Sequence, residues 1–316
     1  MTKVEKQPIA ILFAGQGAQK YGMGRDFYEK SAAAKEVFER ARCLLGYDVA
    51  AVCFEGPAEK LNDTAICQPA IVTTSLAILA VVRERGVLKG REVASAAGLS
   101  LGEYSALTFA GALSADDAIR LVARRGHAMA QAAALKGGTM TSVIGLDREA
   151  VLAAVEEARA EGIVCAANFN CPGQIVISGE VAAVSRAAEL CKARGARMVV
   201  PLAVSGAFHS PLMAPAAEML REALATVHFR QPTVQVVSNV TARPVGSAEE
   251  IRGLLERQLT SPVLWEDSMR AFLGNGVRMF WEVGPGNVLA GLMRRIDREA
   301  TVVSIDKVES LDLLTT

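Results

Sequence analysis

The stretch Val93-Ala94-Ser95-Ala96-Ala97-Gly98-Leu99-Ser100-Leu101-Gly102-Glu103-Tyr104-Ser105-Ala106-Leu107 decides how this chain is read. Val93 to Ala97 is a small apolar run and predicts a buried strand. It stops at Gly98-Leu99-Ser100-Leu101-Gly102, and a helical pattern follows at once. G-x-S-x-G between a strand and a helix is the setting of a nucleophile elbow. The flanking glycines leave room for a strained turn that lifts the Ser100 hydroxyl out of the sheet edge. The helix start behind it offers unpaired N–H groups and partial positive charge to an oxyanion. A plain strand-to-helix turn, with small residues for close packing, fits the same letters. The motif therefore needs partners elsewhere in the chain.

Upstream, Ile9–Ala14 predicts a second short strand, ending in Gly15-Gln16-Gly17-Ala18-Gln19. That turn can bring backbone N–H groups close to a ligand, but its glycine spacing is not the dinucleotide fingerprint. Helices are expected over Asp26–Leu45 and about Gln68–Arg85, with Asp48–Phe54 open between a short helix and a loop. Downstream, Ser114 caps a helix running to about Ala134. Its apolar stripe of Ala118, Leu121, Val122, Met129 and Ala132 includes Arg125, while Arg124 falls on the polar side. A buried guanidinium requires either a core carboxylate or an anionic ligand.

From Met140 to Pro201 the pattern is strand, helix, strand, strand, helix, strand, a ferredoxin-like order. This predicts a small domain over 138–202 inserted in a discontinuous large α/β domain over 1–137 and 203–316. In the large unit, strands alternate with helices and the loops cluster after strands. That implies a parallel sheet with the site at its carboxyl edge. Its last strands are expected at Val234–Ser238, Met279–Val283 and Thr301–Ile305, and the tail after Asp306 reads as frayed.

Bulk properties narrow the class. Of 316 residues, 51% are hydrophobic, enough for one large core or a core plus a smaller unit. The 34 basic and 34 acidic side chains cancel, which argues against nucleic-acid or strongly membrane-attracted partners. Apolar runs such as Ile71–Val82 read as too short and too hydroxyl-rich for a membrane span. Six cysteines form no C-x-x-C pair and no zinc pattern, so they read as reduced thiols. With no signal-peptide pattern at the N-terminus, a cytoplasmic enzyme is expected.

Three histidines are available to activate Ser100. His127 projects to the polar side of the Arg125 helix, and His228 lies in a half-exposed alternation. His209, in Gly206-Ala207-Phe208-His209-Ser210-Pro211, sits where a strand gives way to a loop and is the best placed base. The hydrolase order of serine, acid, then a late histidine is missing, because no histidine follows His228. A different serine–histidine enzyme is implied, with a backbone carbonyl able to orient the base.

Taken together, Phe13–Gln19, Gly98–Leu107, Val122–Gly126, Asn168–Asn170, Gly206–Pro211, Gln258–Val263 and Gly284–Gly286 resemble the malonyl-CoA:acyl carrier protein transacylases of fatty-acid synthesis, in order and spacing over nearly the whole chain. The resemblance implies ping-pong transfer of malonyl from coenzyme A to the phosphopantetheine thiol of acyl carrier protein, with no cofactor or metal bound by the enzyme. Residue by residue it implies Ser100 as nucleophile, His209 as base and the Gln258 carbonyl as its orienter. The N–H groups of Gln16 and Leu101 would form the oxyanion hole, and Arg125 would clamp the malonyl carboxylate. Asn168, Asn170 and Asn287 become candidate cleft residues. Many family members carry histidine where this chain has Leu99, a change that spares every group the mechanism needs. The Ala207-Phe208-His209-Ser210 string resembles the malonyl-selective form. A discrete polyketide-pathway acyltransferase, a serine thioester hydrolase and an idle carrier-binding scaffold stay open on the sequence alone.

Overall fold

The computed structural model describes residues 7–314. Its strands, in chain order, are β1 (Ile9–Phe13), β2 (Val93–Gly98), β3 (Thr139–Ile144), β4 (Val164–Cys171), β5 (Gln174–Gly179), β6 (Met198–Pro201), β7 (Gln235–Val236), β8 (Met279–Val283) and β9 (Thr301–Ile305). Five of them form a parallel sheet in the order β7-β2-β1-β8-β9. β1 is buried along its whole length, as a central strand between helical layers must be. The chain runs outward from β1 to one side and from β8 to the other, so the switch point lies between β1 and β8, with the loop after β2 beside it at the same carboxyl edge. The other four strands form an antiparallel sheet, β4-β5-β3-β6, with the helices Arg148–Ala158 and Val181–Ala193 packed on one face. That is the ferredoxin-like arrangement read from the sequence.

The antiparallel sheet is joined by backbone to the loop between the helices Ala248–Arg257 and Trp265–Gly274. Phe169 N–H donates to the Val263 carbonyl at 2.9 Å, and Val263 N–H donates to Ala167 at 2.8 Å. β4 is thereby fixed over the crevice beside the segment that follows Gln258.

Several expectations need correction. The expected Asp26–Leu45 helix is two helices, Arg25–Lys30 and Ala32–Leu45. Ser31 is extended between them, and its hydroxyl caps the second by accepting from Ala34 N–H. Val49–Glu55 is helical, capped by Asp48. The helix expected from Gln68 starts at Thr64, because Asp63 caps it. At 21 residues it is long and apolar enough to cross a membrane, contrary to the reading of Ile71–Val82. However, 83% of its apolar window is buried, packed against the helices Ala32–Leu45 and Ala115–Lys136. It is the central helix of the core. The expected strand Val234–Ser238 pairs as β7 over two residues only, at the sheet edge.

The tail after Asp306 is packed and not frayed. A 3-10 segment, Val308–Leu314, buries Val308, Leu311 and Leu314, and Val308 N–H donates to Asp26 Oδ2 at 2.7 Å. Leu311 is 1% exposed. Leu311→Ala is expected to lower the unfolding free energy by roughly 2–4 kcal/mol in a urea titration. A loss under about 0.5 kcal/mol, the range of surface changes, would mean the tail contributes nothing to the core.

Candidate active site

Close backbone approach builds the elbow. A Cβ on Gly98 would stand 1.9 Å from the Gly102 carbonyl carbon, and one on Gly102 would stand 2.4 Å from the Phe13 carbonyl oxygen. Only glycine lets β2, the turn and the elbow helix (Gly102–Phe109) sit this tightly against β1. Ser100 is held at φ 53°, a left-handed conformation that costs a residue with a side chain on the order of 1–2 kcal/mol. Asn239 holds that strain in place. Its Oδ1 accepts from Ser100 N–H at 2.6 Å, and its Nδ2 donates to the Gly98 carbonyl at 2.8 Å.

His209 also adopts a positive φ, 56°, which turns its ring inward from the loop before Pro211. Its Nε2 lies 2.9 Å from Ser100 Oγ and its Nδ1 2.8 Å from the Gln258 carbonyl. Gln258 ends the helix Ala248–Arg257, so this carbonyl is one that a helix leaves unpaired. The carbonyl fixes the proton on Nδ1 and leaves Nε2 free to accept from the serine. Burial, followed by the nearby Arg125 charge, pushes the His209 pKa down to about 4. The imidazole is therefore neutral, the form a base requires.

Arg125 is fully buried, as its place in the apolar stripe implied. It forms no ion pair among the described residues, so no core carboxylate contacts it directly. Nη1 donates to Gln68 Oε1 at 2.7 Å, while Nη2 donates to Gln258 Oε1 and to Ser100 Oγ, both at 3.0 Å. Nε has no partner. Every contact is neutral, which leaves the charge available to an anion brought next to Ser100.

Leu101 follows Ser100 directly in the turn. Gly102 and Glu103 N–H bond back to Leu99 and Ser100, but the Leu101 N–H has no partner among the described residues, and neither does that of Gln16. These are two unpaired donors near Ser100, since Gln16 lines the same cavity.

A cavity of about 340 Å³ opens over Ser100 and His209, lined also by Gln16, Leu99, Asn168, Asn170 and Gln174. Asn287 does not join it. Its side chain is exposed, with no capping bond to make, because Glu282 already accepts from Leu289 and Ala290 N–H. Val288 lines the cavity instead. His127 and His228 are exposed and do not line the cavity.

With the geometry in view, the comparisons decide the family. The family model described as "Acyl transferase domain" matches residues 11–311. The malonyl CoA-acyl carrier protein transacylase of Bacillus subtilis is 43% identical over 96% of this chain and 95% of its own. This chain belongs to the malonyl CoA-acyl carrier protein transacylase family. The Escherichia coli K12 member is 43% identical over 95% of this chain and 96% of its own. An acyl carrier protein S-malonyltransferase from Vibrio cholerae has a crystal structure that superposes with a TM-score of 0.93 at 42% identity, covering 97% and 99% of the two chains. Another transacylase, solved in complex with a type II PKS acyl-carrier protein, gives 0.93 at 42% identity, over 97% and 98%.

The sequence reading missed Gln68, Asn239 and Glu103. Gln68 had a signal, a lone amide entering the apolar run Ala70–Val72. Glu103 is one acidic residue in the first turn of a helix and Asn239 follows a short edge strand, so neither stands out from its neighbours in the sequence.

The depressed His209 pKa sets a pH test. A low folded-state value keeps the ring neutral as pH falls, so reaction of Ser100 with a neutral fluorophosphonate should persist below pH 6 and fail only toward pH 4. A rate that halves near pH 6.5 would show that the histidine is not the buried base described.

Proposed function

We propose that the protein transfers malonyl from malonyl-CoA to the phosphopantetheine thiol of holo-acyl carrier protein, through a malonyl ester on Ser100. The observation that carries this reading is Arg125, a buried guanidinium without a carboxylate partner, 3.0 Å from the nucleophile. In the first half-reaction, Ser100 Oγ attacks the thioester carbonyl and its proton passes to His209 Nε2. The oxyanion is met by the N–H groups of Gln16 and Leu101. Collapse breaks the C–S bond, and the leaving coenzyme A thiolate takes the proton from His209.

In the second half-reaction, the carrier's thiol gives its proton to His209 and attacks the ester, and Ser100 leaves with that proton restored. Arg125 reads the acyl group throughout. A carboxylate one methylene beyond the ester carbonyl lies within its reach, held by charge-assisted bonds. Asn168 and Asn170 face the incoming thioester from the antiparallel sheet.

This chemistry calls for no bound cofactor or metal. Six unpaired cysteines fit a reducing cytoplasm. A polyketide-pathway carrier is the second reading, favoured by the relative solved with a type II PKS acyl-carrier protein. Transfer rates to the two kinds of carrier separate them.

Arg125→Ala is expected to lower kcat/KM for malonyl-CoA by about 10²–10⁴-fold, roughly 3–5 kcal/mol, while acetyl transfer is kept. Exposed Arg124 supplies the control, and its alanine variant should change neither rate. Equal losses for malonyl and acetyl in Arg125→Ala would make the arginine a structural residue. His209→Ala should slow acylation by about 10²–10⁴-fold in a rapid-quench measurement. A wild-type rate there would remove it as the base.

A further inference from the structure

A carboxylate lies beneath this site with no step of the reaction assigned to it. Glu103, in the first turn of the elbow helix, is 1% exposed. Its Oε2 accepts from Asn239 N–H at 3.0 Å and from Gln258 Nε2 at 2.7 Å. The Gln258 side chain is a junction. Nε2 also donates to the Ser100 carbonyl at 3.1 Å, and Oε1 accepts from Arg125 Nη2 at 3.0 Å.

An amide turned by half a rotation about its last torsion keeps its shape and exchanges its oxygen for its nitrogen. Turned here, the Gln258 NH₂ would face the guanidinium, donor against donor. Its oxygen would face Glu103 Oε2 and the Ser100 carbonyl, acceptor against acceptors. Of the side-chain acceptors that oppose the turned state, Glu103 Oε2 at 2.7 Å is much nearer than Asn239 Oδ1 at 3.5 Å. This opposition does not depend on the Glu103 charge. Burial raises the Glu103 pKa to about 7, but a proton on the other oxygen leaves Oε2 an acceptor for both donors.

We propose that Glu103 is a positioning residue for acyl specificity: by fixing the Gln258 amide, it holds Arg125 where the carboxylate of the acyl group is read. The proposal rests on the reading that Arg125 binds that carboxylate. Glu103 touches no reacting atom. A merely structural role would weaken all acyl transfers alike, through the elbow, whereas this role acts on the ratio between charged and neutral acyl groups.

The test is the ratio of kcat/KM for malonyl-CoA to that for acetyl-CoA. Glu103→Met, similar in length but without an acceptor for both donors, should lower the ratio by about 10- to 100-fold, the worth of one hydrogen bond to a charged group. Glu103→Gln restores an acceptor oxygen and should stay within about threefold of wild type. Gln258→Met keeps the backbone carbonyl that orients His209 and loses only the amide. It should lower the ratio by the same factor, and it tests the proposal even if Glu103→Met does not fold. In the Gln258→Met background, Glu103→Gln should leave the ratio where it is.

Wild type and Arg125→Ala are run beside these. A ratio that does not collapse in Arg125→Ala overturns the functional reading, and the proposal with it. A ratio that collapses there but survives in Glu103→Met or Gln258→Met overturns the proposal alone. So does a Glu103→Gln ratio as low as that of Glu103→Met.

Discussion

The arrangement depends on one buried charge held by neutral groups. Removing a guanidinium from water is costly, and proteins usually offset that cost with an adjacent carboxylate. Arg125 instead donates to two amide oxygens and the Ser100 hydroxyl, and the nearest carboxylate in this network, Glu103, stands one amide away behind Gln258. A direct ion pair would satisfy the arginine and close it to any other anion. Neutral acceptors hold its geometry and leave the charge unspent. The same charge contributes to keeping His209 unprotonated, so the group proposed to read the substrate also lowers the pKa of the proposed base.

Gln258 gives this network its economy. Its backbone carbonyl, left free by a helix end, sets the His209 tautomer, while its side chain spans Arg125, Ser100 and Glu103. The elbow contributes the rest. Gly98 and Gly102 allow the backbone approach, Asn239 pins both ends of the turn, and the helix start leaves Leu101 N–H unpaired. The antiparallel sheet adds an amide-bearing wall, tied at Val263 to the loop that follows Gln258.

The sequence carried what local chemistry writes into short strings. G-x-S-x-G after an apolar strand names Ser100, an arginine in an apolar stripe names Arg125, and the β-α-β-β-α-β order names the second sheet. It failed where a residue's task is set by distant partners. Glu103 acts on a glutamine 155 positions away, and Asn239 on a serine 139 positions away. No periodicity records such contacts. Asn287, a candidate cleft residue by resemblance, is exposed outside the cavity lining, and Glu282 takes the N–H groups of the helix behind it. The tail after Asp306 was misread because its buried residues follow a 3-10 spacing, Val308, Leu311 and Leu314, within a polar string.

The central claim is that the acyl group rests on Ser100 between the two half-reactions. Its most direct test is to mix the protein with malonyl-CoA, quench in acid, and map the modified peptide by mass spectrometry, with and without a chase of holo-acyl carrier protein. The account predicts one malonyl ester, on Ser100, that disappears in the chase as malonyl-carrier protein forms. Malonyl on another residue, or malonyl-carrier protein formed with no covalent enzyme intermediate, would contradict it.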